Sequence, residues 1–207
     1  MSGFLRRLFR RNAASTTPAC YGSFELTNAV RPAYDLAVVP RQGYRHYYYH
    51  DNHGGIPVLL AAVSREKLFE VFMDLLAPLG PVVNVVLETS HKYEHPGHSD
   101  LLREEIDVSV LKSLLWDFED SFLNDGYLGI AVSNLGIPCE VQFDEHKLLI
   151  VYNEQLWRFE RILNANGIGC DDNLEFITGA EHVHSSSLTF TLQFDEIACR
   201  LGIENWT

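Results

Sequence analysis

The sequence is short of cysteine, methionine and long apolar runs, and each shortage narrows what the chain can be. Its four cysteines, Cys20, Cys139, Cys170 and Cys199, lie far apart and include no C-x-x-C pair. That spacing excludes a zinc ribbon or a thioredoxin-type motif and favours a reducing, cytoplasmic compartment over a disulfide scaffold. The early residues contain no apolar h-region of a secretory signal, which points the same way. No run of about 18 apolar residues occurs, so no segment reads as a membrane-spanning helix. Also missing are a G-x-S-x-G elbow, a Walker loop and a dinucleotide glycine fingerprint, which leaves acyl transfer and nucleotide binding without a local anchor.

What is present is a globular composition with an uneven charge. Of 207 residues, 46% are apolar and 21% charged, and the formal net charge is −12. Residues 1–50 carry seven Arg and no Lys against Glu25 and Asp35, a net of +5, so the remaining chain is strongly acidic. An acidic body repels nucleic acid phosphates, whose binding depends on Lys and Arg. It suits a basic protein partner.

The first residues, MSGFLRRLFRRNA, place Phe4, Leu5, Leu8 and Phe9 on one side of a helical wheel and Arg6, Arg7, Arg10 and Arg11 on the other. Such a segment fits an anionic membrane surface, an acidic partner or the chain's own acidic body. We read 1–32 as a basic arm and linker and 33–207 as one α+β domain, a mixed sheet flanked by three main helices.

Along this body the pattern predicts strands at 33–39, 44–50, 56–63 and 82–89, helices from Ser64 and over 107–123, and a polar loop over 90–99. It continues with strands at 127–133, 139–143 and 148–152, a helix capped by Asn153, strands at 174–178 and 188–194, and a short helix over 195–201. The helix after Ser64 implies a parallel crossover between strands 56–63 and 82–89. The stretch VSREKLFEVFMDLL at 63–76 echoes VYNEQLWRFERIL at 151–163. Either the parts 33–100 and 101–207 are two related ββαβ halves, or capped amphipathic helices after strands simply look alike.

Six of the nine histidines fall in two runs of the form H-x-Y-x-H-x-x-H, His46 to His53 and His91 to His98. Three imidazoles at i, i+4 and i+7 would share a helix face and supply three zinc ligands. Pro96-Gly97 breaks that helix in the second run, and three tyrosines favour a strand in the first. A loop site from His91, Glu94, His95 and His98, with Glu88 or Asp100 as further ligands, remains chemically suited to zinc, nickel or iron. The alternating group Glu181, His182 and His184 forms a third cluster. Cys139 and Cys199 sit in apolar patterns that mark inert core thiols.

Tyr44, His46, Tyr48 and His50 share one face of the first run, while Tyr47 and Tyr49 take the other. Tyrosine beside histidine and arginine resembles the content of binding surfaces, so these four are the expected partner-binding residues. Three functions follow, in descending order: a non-catalytic protein that binds a protein partner through an acidic, aromatic surface, a metal-dependent enzyme using the His/Glu loop, and a peripheral membrane protein docked by residues 1–11.

Overall fold

A computed structural model describes residues 19–33, 37–51, 54–91, 98–134 and 136–203. The amphipathic segment 1–11 and the residues His53, Glu94 and His95 lie outside them.

Three short strands come first, β1 (Cys20–Tyr21), β2 (Phe24–Glu25) and β3 (Val30–Pro32). Then follow β4 (Gly43–Asp51), β5 (Gly54–Ala62), α1 (Arg65–Leu75), β6 (Val82–Thr89) and β7 (Ser99–Asp107). Helices α2 (Val108–Asp117) and α3 (Glu119–Asn124) lead to β8 (Leu128–Asn134), β9 (Cys139–Phe143) and β10 (Leu148–Asn153). The chain closes with α4 (Trp157–Ala165), β11 (His182–His184) and α5 (Leu188–Arg200). The fold is α+β. A seven-stranded sheet runs in the order β4-β5-β10-β9-β8-β6-β7 with every neighbouring pair antiparallel, and β3 pairs with β11 in a separate ribbon.

Strand direction reverses four times between β5 and β6, so the two run the same way, as the α1 crossover requires. They are not neighbours, because β10, β9 and β8 fill the space between them. One sheet face is covered by the helices. Leu68, Phe69, Phe72 and Leu75 of α1 and Leu111, Leu115 and Phe122 of α2 and α3 are buried there against Val85, Leu87, Val132, Val141 and Phe143. Burying each such side chain is worth about 1.5–3 kcal/mol, and the ring of Phe72 meets that of Phe143 at 5.2 Å between centroids.

Several elements differ from the sequence reading. Residues 20–32, read as linker, form β1 to β3 and pack on the body: Phe24 is buried beside Leu148 and Leu174, and the Glu25 amide donates to Ser64 Oγ at 2.9 Å. With that oxygen taken, and its own hydrogen given to the Glu66 carboxylate, Ser64 bounds α1 without a side-chain cap. No strand occupies 37–40, and 174–178 is a loop ending in a 3-10 turn at Ile177–Gly179. The helix expected over 107–123 breaks at Phe118, whose backbone leaves the helical region and puts Glu119 and Asp120 in the first turn of α3, where a helix dipole favours acids. Residues 188–194 are helical from their start, capped by the Ser187 hydroxyl. Cys199 on that helix is exposed, whereas Cys139 is buried.

Candidate functional site

The sheet face away from the helices is only partly covered. Side chains alternate across a strand, and the observed register arranges the outer ones in rows. One row reads Tyr47, Val58, Tyr152, Glu140, Ser133 and Asn84, each the direct partner of the next. The adjacent row reads Arg45, Leu60, Ile150, Gln142, Ala131, Val86 and Leu102. A third holds Gly129, Glu88 and Asp100. Phe24, Leu174 and Phe176 cover the Ala62 and Leu148 end of this face.

At the uncovered end Tyr49 meets Tyr152 edge to face, 6.3 Å between centroids. These two line a shallow depression together with Ile56, Ser133 and Glu140. Tyr49 is 56% exposed, as is Leu102 in the second row. Burial raises the Tyr152 hydroxyl above its ordinary range, and the nearby Glu140 carboxylate adds to that. Burial likewise raises the Glu88 carboxyl, an effect His98 opposes and Asp100 reinforces. The face is therefore aromatic and acidic. Its basic member in these rows is Arg45, whose guanidinium lies 5.0 Å above the Tyr47 ring.

Tyr44, His46, Tyr48 and His50 project from the other side of β4. Tyr44 is buried in the main core, and its N–H and C=O bond to Gly169 and Asp171. His46 pairs with Glu160 of α4 at 2.8 Å. Tyr48 and His50 lie beyond the helices, with the Tyr48 hydroxyl donating to Gly55 O at 3.1 Å and the two rings 4.7 Å apart. The structure thus brings Tyr48 together with His50 at an exposed strand end and sets Tyr44 inside.

The loop histidines separate. His91 is buried, with Nε2 at 2.6 Å from Asp125 and Nδ1 at 3.2 Å from the Thr191 hydroxyl, so both ring nitrogens are engaged. His98 instead lies beside Glu88 and Asp100, at 3.8 and 3.4 Å. These three form one of the groups whose ligand atoms lie close enough to hold an ion.

A second such group joins His146, from the turn between β9 and β10, to His182 and His184 of β11. Strand alternation puts His182 and His184 on the same side of the ribbon. Centroid separations are 5.0 Å for His146 and His182, 4.8 Å for His146 and His184, and 5.2 Å for His182 and His184. All three rings are half-buried. Each Nδ1 has an oxygen partner: the Asp144 carboxylate at 3.0 Å, Ala180 O at 2.7 Å and Gly126 O at 2.6 Å, respectively. The bond to Asp144 raises the His146 imidazole above its ordinary value, with burial opposing. Next to it, Lys147 is buried, donates to Leu128 O at 2.8 Å, and is pushed down by burial to about 8.

The sequence does signal His182 and His184 through their alternation, but nothing local links them to His146, which a turn between distant strands delivers. The outer tyrosine–glutamate row is likewise assembled from six strands and has no linear signature. No protein-family model, no curated protein and no solved structure matches this chain.

Proposed function

We propose that this chain is a non-catalytic binding protein that takes an arginine-containing, basic segment of a protein partner on the open face of its sheet. The support is the row Tyr47, Val58, Tyr152, Glu140: a half-buried tyrosine directly beside a carboxylate. Tyrosine faces attract guanidinium groups, and a carboxylate accepts two of their hydrogen bonds at once. The protein already makes the first of these contacts with its own Arg45 and Tyr47. Tyr48 and His50 extend the surface around the β4 edge. The net charge of −12 would speed encounter with a basic partner.

A short arginine- and leucine-containing peptide, titrated while amide resonances are followed, tests this. Expected are shifts confined to the outer rows, affinity that weakens as salt rises, and a loss of about tenfold or more for Tyr152→Ala or Glu140→Lys. Shifts confined to the helix-covered side would sink the reading. Metal binding at the 91–98 loop is a second reading, supported by the grouping of His98, Glu88 and Asp100. A zinc affinity unchanged in His98→Ala would count against it.

The duplicated-halves reading belongs here as well. The offset that aligns Val63 with Val151 also aligns Ala61 with Leu149, and those two are direct cross-strand partners. A local two-fold axis through that pair would exchange the units β4-β5-α1 and β9-β10-α4. This supports descent of the two hairpin–helix units from one ancestor.

A further inference from the structure

We propose that His146, His182 and His184 form a divalent transition-metal site of zinc type that locks the β3–β11 ribbon onto the turn between β9 and β10. Backbone carbonyls only accept hydrogen bonds, so Nδ1 of His182 and of His184 must carry its ring's proton to bond Ala180 O and Gly126 O. The Asp144 carboxylate imposes the same on His146. In their neutral forms all three rings then have Nε2 as a bare lone pair. Rings whose centroids lie 4.8–5.2 Å apart then have no N–H to share among their Nε2 atoms, and a cation satisfies all three.

Ring nitrogens held at Nδ1 by a carboxylate or carbonyl are the usual outer partners of metal-ligating histidines, because they set the tautomer and aim the ring. Here all three rings have such a partner. One ring nitrogen from each residue lies within 4.8 Å of the others. Tetrahedral zinc, with Zn–N of about 2.0–2.1 Å, needs them about 3.3–3.4 Å apart, a closure of roughly 1–1.5 Å that side-chain rotation of half-buried rings supplies. An all-imidazole set favours zinc, nickel or copper over magnesium or calcium, which prefer oxygen. The half-exposed rings leave a fourth position for water.

The consequence is mechanical. Among the described residues β11 pairs with β3 and with no strand of the main sheet. An ion shared between His146 and the β11 histidines ties this ribbon to the body. Metal binding thereby becomes folding free energy for segments 28–32 and 180–186.

Zinc titration of chelator-treated full-length protein tests this by calorimetry, with cobalt absorption as a second probe. One equivalent should bind at this site with Kd below about 1 µM, and His146→Ala, His182→Ala and His184→Ala should each weaken it by about 100-fold, while Cys199→Ala, at an exposed thiol outside the cluster, leaves it unchanged. In the unaltered protein, zinc should slow hydrogen exchange across 182–184 and at 30 and 31. The proposal is overturned by no uptake tighter than about 10 µM, by wild-type affinity in a folded His182→Ala or His184→Ala variant, or by uptake with no exchange slowing in the ribbon.

Discussion

His91 and Asp125 face each other inside the protein with Nε2 2.6 Å from Oδ2, their side chains 4% and 0% exposed. The pair joins the end of β6 to the turn between α3 and β8, and each partner is anchored further. Thr191 of α5 meets Nδ1, and the other Asp125 oxygen accepts the Tyr127 amide. Edge-on packing against Tyr127 and the nearby Phe194 ring completes the enclosure.

Removing either partner leaves a buried group without its counterpart, which costs about 3–5 kcal/mol. His91→Ala and Asp125→Ala should therefore each lower the urea midpoint sharply, and the double variant should cost less than the two single losses added together. Single losses below about 1 kcal/mol would show that the pair contributes little.

Gly126 shows a different kind of constraint. A Cβ at this position would lie 2.4 Å from Ala29 O and 2.9 Å from Ser185 N and O, all backbone atoms. The Gly126 amide also donates to Ser185 O at 2.8 Å, while its carbonyl receives His184 Nδ1. Gly126→Ala must push two chain segments apart and should destabilise by about 1–3 kcal/mol. Gly169, where a Cβ meets nothing within 4 Å, provides the control: Gly169→Ala should leave Tm nearly unchanged. Equal Tm values for the two variants would contradict the steric account.

The elements that sequence revealed best are those whose burial follows one period. β6, β8 and β10 bury one face under the helices, while Val86, Ala131 and Ile150 keep the other partly apolar. α1 shows helical spacing through Leu68, Phe69, Phe72 and Leu75. β7 is illegible for a physical reason: it is an edge strand, its Asp100, Glu104 and Glu105 face water, and such charges discourage edge-to-edge pairing. α5 misleads because Leu188, Phe190, Leu192 and Phe194 alternate like a strand, yet Leu188 and Leu192 are exposed. The buried spacing, Phe194 with Ile197 and Ala198, begins only where the alternation ends. For the site, alternation in β4 does sort Tyr47 and Tyr49 from Tyr44 and Tyr48. Which face meets helices depends on α4 and β10, and neither is encoded locally.

Cysteine chemistry should follow burial. Cys139 is 7% exposed, and burial raises its thiol above the ordinary range, with the hydrogen bond to Asn153 partly opposing. Thiolate is the reactive form, so mild alkylation near pH 8 should label exposed Cys199 well before Cys139. Peptide mass mapping over time checks this, and labelling of Cys139 as fast as Cys199 would mean that β9 opens readily.

Asp107 provides a pH dependence whose sign can be worked out. Its carboxylate caps α2, accepting from the Ser109 hydroxyl at 2.5 Å, the Ser109 amide at 2.7 Å and the Val110 amide at 3.4 Å. Those bonds, the hydroxyl first, hold its pKa below the ordinary 3.8. A folded-state pKa below the unfolded one means that the unfolded chain binds the proton more readily. The resulting stability is fully present above the unfolded value and fades as pH falls through the folded one. Asp107→Asn keeps a cap acceptor but removes the charge near the helix start. Its Tm should lie below that of the unaltered protein near neutral pH, and the gap should close as the solution is acidified below the carboxylate range. A gap that stays constant down to the lowest pH at which both proteins remain folded would show that the charge at Asp107 does not stabilise α2.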